Sequence, residues 1–290
     1  MGKSRKDNFW GEPLDAPQGY EYESDEKHTR ILLKEWEMEN AKPLTSPGSA
    51  LEKPNEHDKA DEEKDLSPAE ATRYRRAAAR LNYMSLDRAD LSYASKEASR
   101  GMVRPTGGDV IRLKRILRYL KGSPRVINQF PWQNPNYKVT GYSDSDWAGC
   151  TKTRKSTSGG FMMLGKHLLA HWSSTQSVVA LSSAEAELNA LVKMFSETLG
   201  LRNTFLEMGR KLKIEIFTDS SASKGIVQRE GCGKVKHLEA RQLWVQGHVA
   251  NKEVEVIKIT RERNASDCLT HHWSAVDGYK HLSKVGVVWR

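Results

Sequence analysis

The chain has 290 residues, of which 38% are hydrophobic and 29% are charged, which excludes a protein disordered throughout and allows one large or two modest domains. The formal net charge is +9, but residues 1–66 hold 10 Lys/Arg against 17 Asp/Glu, so residues 67–290 carry a net charge of +16. This charge favours a polyanionic partner such as nucleic acid, although a soluble basic surface without such a partner fits it too.

Residues 1–43 are predicted to form a polar N-terminal segment with one short helix at about residues 28–38. The first six residues are basic but have no apolar stretch behind them, so they do not form a secretory signal. Residues 44–66 are poor in apolar residues and dense in charge, which predicts a disordered acidic linker.

Residues 67–135 are predicted to form a helical connection region. Ser67, Pro68 and Glu70 are typical of a capped helix start, and a second helix follows at about residues 89–100. A third helix begins near Thr106 and carries cations opposite its apolar face. These are Arg112, Lys114, Arg115, Arg118 and Lys121. They fit a solvated outer face and a phosphate-binding surface equally well. Gly and Pro residues at 122–135 then indicate a connector.

Residues 136–290 change to short strands and helices. The predicted strands are 137–143, 160–164, 168–173, 213–218 and 253–259, and the predicted helices are 183–208, 221–229, 235–249 and one that starts near Asn264. Three strands, a helix, a strand, helices, a strand and a helix predict an α/β fold with a mixed five-stranded sheet and flanking helices.

Four acids stand at the ends of these elements. They are Asp144 and Asp219 at two strand ends, Glu187 early in the long helix, and Asp267 at the start of the last helix. Convergence of four carboxylates is costly without a cation, and hard oxygen ligands favour Mg²⁺ or Mn²⁺. Two such ions suit phosphodiester hydrolysis. Taken singly, however, Asp219 fits a helix cap and Asp267 fits a favourable helix-dipole position.

Six ordered motifs connect these acids. They read GYSDSDWAG (141–149), RKSTSGG (154–160), WSSTQSVVALSSAEAEL (172–188), IEIFTDSSAS (214–223), KHLEAR (236–241) and NASDCL (264–269). In this order they resemble the ribonuclease H domain of Copia-type retrotransposon polyproteins. Residues 32–48 and 74–124 resemble, less sharply, the thumb and connection end of the same reverse transcriptases.

The resemblance implies a ribonuclease H-like fold and cleavage of the RNA strand of RNA–DNA hybrids with two Mg²⁺ or Mn²⁺ ions. It implies that Asp144, Glu187, Asp219 and Asp267 are the catalytic metal ligands, with Asp146 and Glu185 as near-duplicates of two of them. The polymerase motif Tyr-x-Asp-Asp does not occur, so we expect a truncated reverse transcriptase that does not synthesise DNA alone. The polymerase part of a retroelement reverse transcriptase is a candidate partner.

The polar turn at 154–157, two tryptophans and two histidines each allow a functional and a structural interpretation. Arg154, Lys155, Ser156 and Thr157 fit contacts to the phosphates of a hybrid, and they also fit an ordinary polar turn. Trp147 and Trp172 are more typical of a core than of base stacking. His248 resembles the histidine of cellular ribonucleases H, but a predicted strand separates it from Asp267, so we do not expect it to be catalytic; the role of His237 stays open.

Two rival functions remain at this point. One is a catalytically inactive nucleic-acid-binding remnant, and the other is a DNA-cleaving enzyme of the same fold, which the motif series disfavours. The three cysteines are far apart and odd in number, which argues against a disulfide framework, and no apolar run reaches bilayer length. We therefore expect an intracellular protein, cytoplasmic or nuclear, without a membrane partner.

Overall fold

The computed structural model describes residues 19–48, 63–231, 233 and 240–290. Most of the predicted acidic linker, as well as His237, lies outside these residues. The described strands are β1 Tyr20–Glu23, β2 Val126–Phe130, β3 Lys138–Ser145, β4 Thr157–Leu164, β5 His167–Thr175, β6 Lys213–Thr218, β7 Val254–Lys258 and β8 Val287–Trp289. The described α-helices are α1 Lys27–Glu35, α2 Pro68–Met84, α3 Ser92–Arg100, α4 Gly107–Gly122, α5 Ser183–Glu207, α6 Ser221–Val227, α7 Ala240–Ala250 and α8 Ala275–Ser283.

The larger sheet has five strands in the order β5-β4-β3-β6-β7. Strands β3, β4 and β5 form an antiparallel meander, while β6 pairs parallel to β3 and β7 parallel to β6. This mixed sheet with flanking helices confirms the predicted ribonuclease H-like α/β fold. Because β3 and β6 are parallel neighbours, their carboxyl ends lie at the same edge of the sheet, and the acids that follow them are brought side by side.

Helix α5 covers one face of this sheet and places Glu187 near the edge. Its buried residues Leu188, Leu191, Met194 and Phe195 belong to one apolar cluster with side chains of β3, β6 and β7. Close packing requires Gly141 in β3, since a Cβ there would lie 2.5 Å from Met194 Sδ. The helix begins as predicted, with Ser182 Oγ accepting the Glu185 backbone N–H.

A second sheet was not predicted. Strands β1, β2 and β8 pair antiparallel in the order β1-β2-β8, and β2 occupies part of the segment that was predicted as an irregular connector. The core beneath it extends from Leu32 and Tyr74 to Phe161, Trp273 and Val287. Residues from widely separated parts of the chain therefore share one apolar core.

The last predicted helix also differs from the structure. Residues Ala265–Leu269 form a 3₁₀-helix, and the α-helix α8 begins only at Ala275. Asn264 caps the 3₁₀-helix by accepting the Ser266 backbone N–H through its side chain. Asp267 thus lies on a short, tight turn whose position is set by the Asn264 cap rather than by a long helix.

Candidate active site

Three of the four predicted acids converge. Asp144, Glu187 and Asp219 each offer one carboxylate oxygen, and these three atoms lie within 4.8 Å of one another. They come from the end of β3, the second turn of α5 and the residue after β6. Groups so close favour binding a common cation, because without one their negative charges repel.

Asp144 is buried and held from two sides by the segment after β7. The Thr270 hydroxyl donates to Asp144 Oδ2 at 2.6 Å, and Asn264 Nδ2 lies 3.4 Å from Asp144 Oδ1. Burial raises the pKa of Asp144 to about 7, and the charges of Asp219 and Asp267 add to the rise, while the Thr270 bond opposes it. The carboxyl is therefore poised to bind a proton or a cation near neutral pH.

Glu187 is the least satisfied of the three. Its Oε2 is buried and has no hydrogen-bond partner, while the Ser145 backbone N–H donates to the carboxyl group. Burial raises the pKa of Glu187 to about 9, with Asp144 and Asp219 as the next causes. A buried carboxyl oxygen without a hydrogen-bond partner beside two other carboxyls is suited to coordinating a cation.

Asp219 is half-buried, whereas Asp267 is as buried as Glu187. Burial raises the pKa of Asp219, and the charge of Asp267 contributes. Asp267 is not part of the close group; its Oδ1 accepts Arg261 Nε at 2.8 Å, and His271 Nε2 lies 3.6 Å from its Oδ2. The structure therefore brings Asp267 close enough to act electrostatically, but pairs it with Arg261.

The near-duplicate acids are separated by their contacts. Asp146 Oδ1 accepts the backbone N–H of Thr157 and so closes the turn between β3 and β4. Glu185 Oε2 accepts the Leu181 backbone N–H at 2.8 Å at the start of α5. Both acids hold backbone, whereas Asp144 and Glu187 point their carboxyls at each other.

Of the predicted phosphate-contacting turn, the two cations reach the surface and the two hydroxyls do not. Arg154 is exposed and Lys155 is half-buried. Ser156 is buried and its Oγ accepts the Ala148 backbone N–H at 3.0 Å, while Thr157 Oγ1 accepts Lys96 Nζ at 2.8 Å. Both hydroxyls are thus engaged inside the protein, and nucleic-acid binding by this turn stays a prediction.

The cations of α4 have mixed surroundings. Arg112 pairs with Asp109 at 2.7 Å, Arg118 donates to the Lys42 carbonyl at 2.7 Å, and Lys114 is exposed. Arg115 is half-buried and lines a cavity of about 130 Å³ between α3, α4 and His272. Their contact with nucleic acid also stays a prediction.

The remaining aromatic and histidine residues differ in exposure. Trp147 is 55% exposed and its Nε1 donates to the Ala180 carbonyl at 3.2 Å, whereas Trp172 is half-buried. His248 lies on α7 with its Nδ1 3.0 Å from Glu253 Oε2, and β7 separates it in sequence from Asp267, as predicted.

Three residues of the site were not singled out from the sequence. Asn264 and Thr270 hold Asp144, and Arg261 pairs with Asp267. Asn264 lies in the NASDCL motif, which was a usable signal. Thr270 and Arg261 lie just outside this motif, and only the three-dimensional contacts identify them.

Comparison with known proteins gives several matches over most of the chain. The retrovirus-related Pol polyprotein from transposon RE2 of Arabidopsis thaliana is 29% identical over 94% of this chain, and that from transposon RE1 is 28% identical over 91%. The chain is thus homologous to Copia-type retrovirus-related Pol polyproteins. It spans about 18% of the length of these two relatives. No family model matches.

Among solved structures, LC11-RNase H1, isolated from compost, is 20% identical to this chain with a TM-score of 0.35. The match covers 46% of this chain and 93% of that protein. The fold assignment rests on the strand order of the sheet and not on this likeness. In the part of the chain that the structure describes, every helix is too short or too polar to cross a bilayer.

Proposed function

We propose that this chain is a metal-dependent endoribonuclease of the ribonuclease H type that hydrolyses the RNA strand of RNA–DNA hybrids. The observation that carries the proposal is the convergence of Asp144, Glu187 and Asp219 within 4.8 Å at one sheet edge. Similarity to a Pol polyprotein and a ribonuclease H-like sheet are consistent with it. The polymerase part of a retroelement reverse transcriptase is a proposed partner.

The donor set fits Mg²⁺ or Mn²⁺. All three groups are carboxylates, which hard cations prefer, and the partnerless Glu187 Oε2 leaves a ligand atom available. Asp144, Glu187 and Asp219 would hold the metal, with Asp267 as the fourth ligand. When bound, a pair of divalent ions stabilises the entering and leaving oxygens of a phosphodiester displacement.

The protein's own groups orient this site. Thr270 and Asn264 fix the two oxygens of Asp144, and the Ser145 backbone N–H holds Glu187. Lys258 Nζ donates to the Asp219 carbonyl at 2.6 Å, which anchors the end of β6. Such outer contacts keep ligand carboxylates in a fixed geometry, and their loss weakens metal sites.

A cleavage assay of the 290-residue chain with a labelled RNA–DNA hybrid and Mg²⁺ or Mn²⁺ tests the proposal. We expect metal-dependent cleavage of the RNA strand that is lost in Asp144→Asn and Asp219→Asn. Asp146→Asn is the matched control, because its amide oxygen still accepts the Thr157 N–H and its side chain lies outside the acidic group. Equal cleavage by wild type and Asp144→Asn would indicate a contaminant. Salt-sensitive binding without cleavage would support the inactive remnant, and cleavage of duplex DNA would support the DNA enzyme.

The proposed nucleic-acid surface comprises the predicted turn and α4 cations. Its members are the cations Arg154, Lys155, Arg112, Lys114, Arg115 and Arg118, while the predicted Ser156 and Thr157 hydroxyls are buried and do not belong to this surface. We expect the double substitution Arg154→Gln and Lys155→Gln to make the plot of log affinity against log salt less steep by about two, because two phosphate contacts are lost. An unchanged slope would remove these two residues from the proposed surface.

A further inference from the structure

The side-chain amide of Gln176 lies between the residue after Asp144 and the residue before Glu187. We propose that Gln176 is a positioning residue that holds these two carboxylates at a metal-binding separation. The inference rests on the proposed function, because it assigns Gln176 a role toward the same metal ligands. The side chain of Gln176 forms its hydrogen bonds with residues other than the three carboxylates.

The amide is buried and bonded on both sides. Gln176 is 7% exposed, and its Nε2 donates to Ser145 Oγ at 3.1 Å, to Ser158 Oγ at 3.0 Å and to the Ala186 carbonyl at 2.8 Å. These three acceptors, which share the two N–H groups of the amide, belong to β3, β4 and the first turn of α5. One side chain thus ties the strand that carries Asp144 to the helix that carries Glu187.

The chemistry of the acceptors fixes how the amide is oriented. The Ala186 carbonyl only accepts, so the nitrogen of the amide must face it. The Ser145 hydroxyl donates to the Asp146 carbonyl at 2.8 Å and is therefore an acceptor toward Gln176. On the other side, Gln176 Oε1 accepts Asn189 Nδ2 at 3.2 Å. Rotating the amide by half a turn would break these bonds.

The position of Glu187 depends on these bonds because few others hold it. Its Oε2 lacks a partner, and the Ser145 backbone N–H donates to the same carboxyl. Ser145 also accepts from Gln176, so one residue of β3 receives both contacts. Releasing Gln176 would let the start of α5 shift against β3, and a shift of about 1 Å is enough to impair such a site.

Gln246 offers a matched control in the same protein. It is 8% exposed, its Nε2 donates to the carbonyls of Ile226 at 2.9 Å and Gly231 at 3.0 Å, and its Oε1 accepts the Gly231 backbone N–H at 2.9 Å. It is a buried, fully bonded glutamine whose partners belong to α6 and the segment after it, rather than to β3 or the start of α5. A purely structural role would make the two glutamines respond alike.

The test compares Gln176→Met with Gln246→Met in the full chain. Methionine keeps the length of the side chain and removes its hydrogen bonds. Mn²⁺ affinity is measured by calorimetry without substrate, and thermal unfolding is measured in EDTA. We expect both variants to unfold at lower temperature, and Gln176→Met alone to bind Mn²⁺ about 10- to 100-fold more weakly, as for other outer contacts of metal sites.

An unchanged Mn²⁺ affinity in Gln176→Met, or an equal loss in both variants, overturns the inference. If the wild type binds no Mn²⁺, the proposed function fails, and crystal structures of the metal-free variants decide the inference separately. The inference then requires that the Asp144 and Glu187 carboxylates part beyond 4.8 Å in Gln176→Met and stay within it in Gln246→Met. Unchanged separation in Gln176→Met overturns it.

Discussion

Asp144→Asn is expected to stabilise the metal-free protein at pH 8, although it removes a proposed metal ligand. Burial, with the nearby charges of Asp219 and Asp267, raises the pKa of Asp144 to about 7 from an ordinary value of 3.8. The folded protein therefore opposes ionisation of this carboxyl at alkaline pH. An amide has no charge to accommodate, and its oxygen can still accept the Thr270 hydroxyl.

The sign and size of the effect follow from the raised pKa. Below pH 3.8 the protonated Asp144 carboxyl makes its full contribution to the stability of the folded state, and this contribution is lost as the pH rises through about 7. One pKa unit corresponds to about 1.4 kcal/mol, so the rise of roughly three units gives an upper bound of about 4 kcal/mol at pH 8. Relief of the repulsion on Glu187 acts in the same direction, since Asp144 is the second cause of its raised pKa.

Urea unfolding in EDTA from pH 5 to pH 9 measures this prediction. The wild type should lose stability as the pH rises, and Asp144→Asn should have a flatter profile. Glu215→Gln is the control of opposite sign, because hydrogen bonds from Lys138 and Lys213 lower the pKa of Glu215. Its substitution should reduce stability above about pH 4.5, and this loss should vanish as the pH falls below the lowered pKa.

The reasoning is refuted if Asp144→Asn is no more stable than the wild type at pH 8 in EDTA. Saturating Mn²⁺ provides a second check. Metal binding to the folded state raises the free energy of unfolding by an amount that grows with the logarithm of the free-metal concentration divided by the dissociation constant. Mn²⁺ should therefore raise the free energy of unfolding of the wild type more than that of the variant. Equal gains would mean that Asp144 is not a ligand.

Three further predictions use the same protein. The Mn²⁺ affinity of the wild type should rise between about pH 6 and pH 9, because the carboxyls with raised pKa must lose protons to bind metal; calorimetry showing a flat profile would contradict this. Arg261→Gln should raise Mn²⁺ affinity a few-fold at low salt, because it releases Asp267 from its ion pair, and the gain should be smaller at high salt. Arg263→Gln is the control, because Arg263 is exposed and its substitution should change the Mn²⁺ affinity less. Arg88→Met should lower the free energy of unfolding by about 3–5 kcal/mol in urea, since it leaves the fully buried Asp90 unpaired, and a loss below 1 kcal/mol would contradict the ion pair.

The close acidic group could be predicted because its geometry follows from chain order. Asp144 and Asp219 each come at the end of a hydrophobic strand, and parallel neighbours end at the same sheet edge. Glu187 follows a clear helix cap, which fixes its place in the second turn of α5. The pairing of Asp267 with Arg261 was not predictable, because a contact six residues apart depends on how a 3₁₀ turn folds.

The smaller sheet escaped prediction for a different reason. Strands β1, β2 and β8 are three to five residues long, and their pairing joins residues more than 100 positions apart, such as Tyr20 with Phe130 and Val126 with Trp289. Local periodicity carries no information on such partners, and the prolines around β2 favoured an irregular connector. The buried state of Ser156 and Thr157 was also hidden, since a polar sequence does not reveal which hydroxyls find partners inside.

Helix α3, which precedes the larger sheet in the chain, is linked by hydrogen bonds to strands β4 and β5 of that sheet. Lys96 in α3 donates to Thr157 Oγ1, and the backbone N–H of the same Thr157 donates to Asp146, two residues after Asp144. Ser92 in α3 also bonds His171 in β5 at 2.9 Å. A substitution in α3 can therefore move the turn that follows Asp144 without touching a carboxylate. The domain boundary at residue 136 remains a prediction. A fragment that begins there would lack both of these contacts and also β2, the strand that pairs with β8. Loss of activity in this fragment would therefore not distinguish an inactive site from a displaced one.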